Sequence, residues 1–280
     1  MTNSDLSHQL DEPKTDPLVR VATIVEYDGS RYQGLQIQVS GETIQSAFHK
    51  MALQFGVEDC VFRASGRTDT GVHARGQVIA LSVPESVTRR NIADALNWHL
   101  PTDIRVRRAV RCSADFDPRH DARLRTYRYL LAAGQSLPPL MRGRMGHAKK
   151  RLDFELVQEA AKLLRGPWDF RAWRAAICQG KRTEMELDVF EVKRWNDSAP
   201  HGMDDGAYEI TVASRFFLHH QVRYLVGGLV RVGSGALSLK ELQECLENKT
   251  RPDRVVPADA CGLSLESVYY PPEKDPFLGS

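Results

Sequence analysis

The sequence predicts an α+β fold made of two successive α/β halves, on three observations. Strand-like and helix-like segments follow one another in the order β-α-β-α-β, and a similar order returns in the second part of the chain. The strand segments are short and alternate apolar with polar residues, as half-buried antiparallel strands do. With 280 residues, 42% of them hydrophobic, the chain can bury one large core or two of ordinary size. Residues 1–18 read as a polar, disordered arm, 19–114 as the N-terminal half, 115–272 as the C-terminal half and 273–280 as a tail.

In the first half, "VRVATIVEYDGS" alternates and ends on an Asp-Gly turn, so it is a strand. "ETIQSAFHKMALQFG" sets Ile44, Phe48, Met51 and Phe55 at helical spacing, with Gly56 as the stop. A glycine-framed turn, "SGRTDTG", leads into an apolar strand at Val78–Val83. "TRRNIADALNWHL" predicts a second amphipathic helix with Thr88 as its N-cap. "IRVRRAVRC" is a strand with Ile104, Val106, Val110 and Cys112 on one face and arginines on the other. This order resembles one half of a ferredoxin-like sandwich.

In the second half, "RTYRYLLAA" is a strand and "PPLMRGRMGHAKKR" a basic, proline-led loop. "DFELVQEAAKLLRG" is a helix with Asp153 as N-cap and Gly166 at its end. "ELDVFEVKRW" and "AYEITVASRFF" are strands, and "HHQVRYLVGGLVRVG" is a strongly apolar helix. "SLKELQECLEN" opens with a capping box, Ser238 and Glu241, and "GLSLESVYY" is the closing strand.

The net charge is only +2, but its distribution is uneven. From Arg89 to Arg182, 21 Lys plus Arg face 9 Asp plus Glu; elsewhere 17 face 27. A basic block inside a nearly neutral chain fits a polyanion site, although a solvated arginine-rich surface has the same composition. The five cysteines are scattered and form no C-x-x-C, which argues against a disulfide framework or zinc site and for a reducing cytosol. No apolar run reaches the ~18 residues of a membrane span, and the polar N-terminus lacks the core of a signal peptide. The expectation is a cytoplasmic protein.

Asp69 is the first candidate for chemistry. A carboxylate that serves as nucleophile or base must be ionised, reachable and fixed. In "GRTDTG" the glycines permit a sharp turn and the Arg67 guanidinium favours the charged form. The plainer alternative is a turn aspartate bonded to its own backbone. Asp69-Thr70-Gly71 also spells the aspartic-protease signature, but that mechanism needs two carboxylates sharing a proton and no second DTG or DSG occurs. There is no phosphate-binding G-x-x-x-x-G-K-[ST] loop, and "GSGALS" carries only two of the three dinucleotide-binding glycines. His219 and His220, adjacent on a helix, face different ways and predict one buried and one exposed histidine, not a metal pair. Nothing calls for a cofactor or a metal.

"GRTDTGVHA" resembles the catalytic motif of the tRNA pseudouridine synthase A family. In the same order, "VEYDGSRYQGLQIQ", "TIQSAF", "FDPRHDARLRTYRY", "RFFLHHQVRYLVGGLVRVG" and "GLSLESVYYP" resemble further family segments, from about Val19 to Pro271. Two departures are Leu35, where the family usually has tryptophan, and the longer stretch "VPADACGLSL" before Gly262. The resemblance implies the pseudouridine synthase fold, with the sheets of the two halves joined beneath a central basic cleft. It implies isomerisation of uridine in the anticodon stem-loop of tRNA, without cofactor, by a homodimer. It makes Asp69 the nucleophile and Arg223 its ion-pair partner. Tyr127 would stack on the target base and its hydroxyl could assist at C5. Arg67 would fill the place of the extruded uridine or hold the neighbouring phosphates. Taken alone, Tyr127 reads as a core aromatic and Arg223 as one arm of a structural ion pair. The rival class is a non-catalytic RNA-binding module of ferredoxin-like folds, whose aromatic strand motifs are missing here.

Overall fold

The computed structural model describes residues 16–134, 136–195 and 206–279; most of the predicted N-terminal arm lies outside them. Up to residue 114 the chain contains β1 (Leu18–Tyr27), α1 (Ile44–Leu53), β2 (Phe62–Ala64), β3 (His73–Pro84), α2 (Ile92–His99) and β4 (Ile104–Arg111). Beyond it follow β5 (Leu124–Ala133), β6 (Gly146–Ala148), α3 (Phe154–Leu164), β7 (Trp168–Asp169), β8 (Glu184–Met185), β9 (Val189–Arg194), β10 (Ala207–Ser214), α4 (Gln221–Gly233), α5 (Leu239–Glu247) and β11 (Leu263–Tyr269). The fold is α+β, and its main sheet is mostly antiparallel. Leu18, read as part of the arm, already belongs to β1.

The helices form where periodicity and caps coincide. Thr43 and Ser46 close a reciprocal capping box on α1, whose Ile44, Phe48 and Met51 are buried. Asp153 caps α3, and Ser238 with Glu241 forms the expected box on α5. Thr88 is not the cap of α2. Its hydroxyl donates to Glu85 O within a short 3₁₀ turn, and Asn91 accepts from Asp94 N at 3.3 Å instead. In α4, Val222, Leu225, Val226, Leu229 and Val232 are buried, each contributing about 1.5–3 kcal/mol of apolar burial.

The main sheet runs β4-β1-β3-β11-β5-β10-β9, with β2 added to β3 and β6 to β5. The two ends of the chain meet at its centre, where β11 pairs with β3 in parallel through Ser264 opposite His73 and Leu265 opposite Ala74. One face carries the large core, in which residues of all five helices pack on Val21, Val25, Ile79, Leu81, Tyr129 and Leu131. A smaller core of Ala22, Val78, Ala80, Phe116, Tyr270 and Phe277 lies on the other face, so part of the stretch read as a tail is packed. β4 departs from the expected alternation. Val25 pairs with Val106 but Ile24 with Arg108, leaving Arg107 as a bulge. One extra residue reverses the faces. Ile104 and Val106 enter the large core, whereas Val110 and Cys112 join the small one. No helix among the described residues is long and apolar enough to cross a membrane.

Candidate active site

Asp69 sits on the loop between β2 and β3, and backbone and side-chain hydrogen bonds fix that loop on both sides. Ser65, fully buried, donates its N–H to Val78 O at 2.9 Å and its hydroxyl to Gln77 Oε1 at 2.7 Å. The Gln77 amide then donates to Gly66 O at 3.0 Å. The Thr68 hydroxyl shares a 2.7 Å hydrogen bond with the Tyr27 phenol, and its carbonyl accepts from Leu35 N at 3.1 Å. Leu35 itself is buried against the loop. Beyond Asp69, Val72 N closes a turn onto Asp69 O at 3.1 Å, with Gly71 in the left-handed region at φ +76°. Of the two framing glycines only Gly71 is required by conformation; a Cβ on Gly66 would meet nothing closer than Arg125 Nε at 3.5 Å.

Three basic-type side chains, two from the residues just before α4 and one from its first turn, converge on this carboxylate, whose side chain is 16% exposed. His219 Nε2 lies 3.4 Å from Oδ1, His220 Nε2 lies 3.6 Å from Oδ2, and Arg223 Nη1 lies 3.7 Å from Oδ2. The expected split of one buried and one exposed histidine is corrected: both are half-buried and their rings lie 4.1 Å apart. The spacing argument assumed a helix, but α4 begins only at Gln221. His220 precedes it in the left-handed region at φ 63°. Burial lowers the His220 pKa below its ordinary value; His219 and Arg223 push the same way and Asp69 opposes them. Asp69, His219 and His220 could offer three donors to a cation, but Arg223 already occupies the Oδ2 side of the carboxylate.

Arg223 does not grip Asp69 with both arms of its fork. Its Nε donates to Ala258 O at 2.8 Å, and Ala258 N donates back to Arg223 O at 2.9 Å. The loop before Gly262 is therefore the brace of this arginine. It comes close because Gly227 lacks a side chain: a Cβ there would lie 2.0 Å from Val256 O.

Tyr127 enters from β5, 7% exposed, with Phe217 edge-on to its ring at 5.2 Å. Burial first, then Tyr27 and Asp69, push its phenol well above the ordinary range, so it stays protonated at neutral pH. Arg67 is exposed two residues from Asp69. Asp69, Arg223 and Tyr127 thus come together, with Arg67 at the rim. Sequence reasoning missed His219, His220, Phe217 and the Ala258 brace. The adjacent pair in "FLHHQ" was visible, but its aim depends on where α4 starts. A cleft of about 430 Å³ lined by Arg171, Arg174, Cys178, Lys181 and Thr183 adjoins the site, and Ala175 N there donates to His219 O at 2.9 Å.

Comparison with known proteins identifies the family of the chain. The family model described as tRNA pseudouridine synthase matches residues 23–121 and 160–271, which take in Asp69 and Arg223; Tyr127 falls between the two stretches. A protein of Methylobacterium nodulans named tRNA pseudouridine synthase A is 38% identical over 255 residues, 90% of this chain and 96% of the relative. One of the same name from Gluconobacter oxydans is 36% identical over 283 residues, 99% of both chains. Since the matched stretches hold both the Asp69 loop and the helix that converges on it, the chain belongs to the tRNA pseudouridine synthase family.

Proposed function

We propose that Asp69 is the nucleophile with which this isomerase converts uridine to pseudouridine in the anticodon stem-loop of tRNA. The observation that carries the reading is a single half-buried carboxylate, fixed by backbone bonds, within 4 Å of Arg223, His219 and His220 and beside a buried tyrosine. Such surroundings hold the carboxylate in one direction, as a nucleophile requires. In the reaction the bond from N1 to C1′ breaks, the uracil turns, and a bond from C5 to C1′ forms. The C5 proton is lost and N1 gains one, so the change is redox-neutral. Asp69 holds the detached half covalently or electrostatically while the base turns.

Arg223, 3.7 Å from Oδ2, orients Asp69. Tyr127 stacks on the uracil with Phe217 behind it. A phenol kept protonated by burial suits this packing and hydrogen-bond donation, and makes a poor base at C5. Arg67, exposed at the rim, fills the gap left by the extruded uridine or holds the phosphates beside it. Arginines and lysines of the basic stretch from Arg89 to Arg182 hold the RNA backbone in a cleft between the halves. The reading divides the chain into ferredoxin-like halves, 19–114 and 115–272. In its favour, the order is β4-β1-β3-β2 in the first and, with β6 and the separate β7-β8 pair set aside, β11-β5-β10-β9 in the second, so that the four strands of each run fourth, first, third, second. The working unit is a cytoplasmic homodimer.

The test is replacement of the acid. Asp69→Asn and Asp69→Ala should lower turnover by about 10⁴-fold or more, while tRNA affinity, which rests on many phosphate contacts, stays near wild type. Turnover by Asp69→Asn, in protein checked for deamidation, would refute the assignment.

A further inference from the structure

Arg125 lies one pleat from Tyr127 on the same face of β5, 7% exposed, and its hydrogen bonds go to carbonyl oxygens, not to a carboxylate. Its Nε donates to Ser65 O at 3.0 Å and its Nη2 to the same oxygen at 2.6 Å. Nη2 also donates to Arg119 O at 2.7 Å, and Nη1 donates to Arg215 O. These three carbonyls belong to separate parts of the chain. Ser65 begins the loop that carries Asp69. Arg215 begins the connection from β10 to α4, which presents Phe217, His219, His220 and Arg223. Arg119 lies on the turn that leads into β5 itself.

A cation taken out of water without a counter-charge is costly unless its donors are satisfied in good geometry. Fixing one turn of chain does not call for that; a neutral donor suffices. A planar guanidinium differs in having five donors in a rigid fork, able to hold several acceptors at set angles to one another. Here that fork spans the two segments whose separation sets the distance from Asp69 to Arg223 and to the histidines.

We infer that Arg125 is a positioning residue for the isomerisation: its guanidinium locks the Asp69 loop to the segment leading into α4, so that the carboxylate and its basic partners stay in reacting register. It does not touch the substrate. The inference rests on the proposed role of Asp69. A lysine can reach one or two of the carbonyls but cannot reproduce the fork. A misplacement of about 1 Å between reacting groups can cost about a hundredfold in rate.

The experiment compares wild type, Arg125→Lys, Arg125→Ala and Asp69→Asn, each at a temperature where its unfolding curve shows it fully folded. Single-turnover rates are read on a tRNA anticodon stem-loop, with its Kd measured separately. We expect Arg125→Lys to be slower by about a hundredfold, with Kd changed less than about threefold. We expect ethylguanidinium to restore part of the rate to Arg125→Ala, a rescue that a merely structural loss would not give. If Arg125→Ala does not fold, the Lys variant alone decides. A wild-type single-turnover rate in folded Arg125→Lys overturns the inference, as does a loss lying wholly in Kd. Asp69→Asn separates the two ideas. If it is inactive while Arg125→Lys is fully active, only the positioning role fails; if it turns over, the nucleophile reading fails first.

Discussion

Arg223 divides its guanidinium between two acceptors, Nε on Ala258 O and Nη1 toward Asp69 Oδ2. A lysine keeps the charge but cannot do both, because its ammonium is a single point at the end of a flexible stem. Arg223→Lys should therefore reduce single-turnover rate by about a hundredfold and leave tRNA affinity nearly unchanged. Rates and Kd measured on the same stem-loop check this, and a loss confined to Kd would move Arg223 to the RNA-contacting group. Asp169 is the instructive contrast, a buried acid with no part in the proposed chemistry. Burial alone would raise its pKa, yet hydrogen bonds from Arg171 and Thr183 outweigh that and hold it at about 2, below the ordinary 3.8. A carboxyl depressed in the folded state stabilises above its unfolded pKa, and that stability is lost as pH falls from about 4 to about 2. Asp169→Asn should cost about 1–3 kcal/mol at pH 7, and roughly half as much at pH 3, which lies midway through that window. Denaturant unfolding at the two pH values provides the comparison, and an equal gap at both would contradict the assignment of charge.

Among the elements, what could be read in advance was local. The α1 stripe of Ile44, Phe48 and Met51, the Asp153 cap and the Ser238–Glu241 box each depend on residues a turn apart, and each formed as expected. What could not be read depends on partners far along the chain. The bulge at Arg107 shows only in the pairing of β4 with β1, and it sends Val110 and Cys112 to the opposite core. Asp69 was legible as a fixed carboxylate. The histidines that meet it were not, because their direction follows from the left-handed turn at His220. Gly227 belongs to the same class: within "LVGGLV" it looks like a weak point in a helix, but it admits the loop that braces Arg223. Gly227→Ala would drive a methyl group against Val256 O, a backbone atom that can yield only by moving its loop. The expected cost is about 1–3 kcal/mol of stability. The rate should also fall, because displaced Ala258 O no longer holds the guanidinium. Unfolding curves and single-turnover rates should change together in this variant; a stability loss with a wild-type rate would separate the brace from the chemistry.

At the scale of the whole molecule, the basic surplus between Arg89 and Arg182 overstates what is free to meet RNA. Arg111 pairs with Glu85, Arg128 with Glu209 and Glu266, Arg144 with Asp28, and Arg171 with Asp169. Arg125 is spent on carbonyls. Some of these pairs join distant parts of the chain: Arg144 with Asp28 ties the loop before β6 to the end of β1, and Arg128 with Glu266 links β5 to β11. Lys149, Lys150 and Arg151 are different, being consecutive, exposed and just beyond β6. If the RNA backbone runs along this edge, each phosphate they neutralise releases counterions on binding, and affinity falls linearly on a log–log plot against salt. Reversing all three to Glu should weaken tRNA binding and make that slope shallower by about one unit for each phosphate no longer neutralised. Arg144→Glu should instead lower stability through its ion pair with Asp28, and change the slope less. Binding measured from low to high salt for wild type and both variants distinguishes the two kinds of cation. A slope unchanged in the triple variant would place the RNA path elsewhere on the molecule, and a slope of zero in the wild type would remove the electrostatic basis of binding altogether.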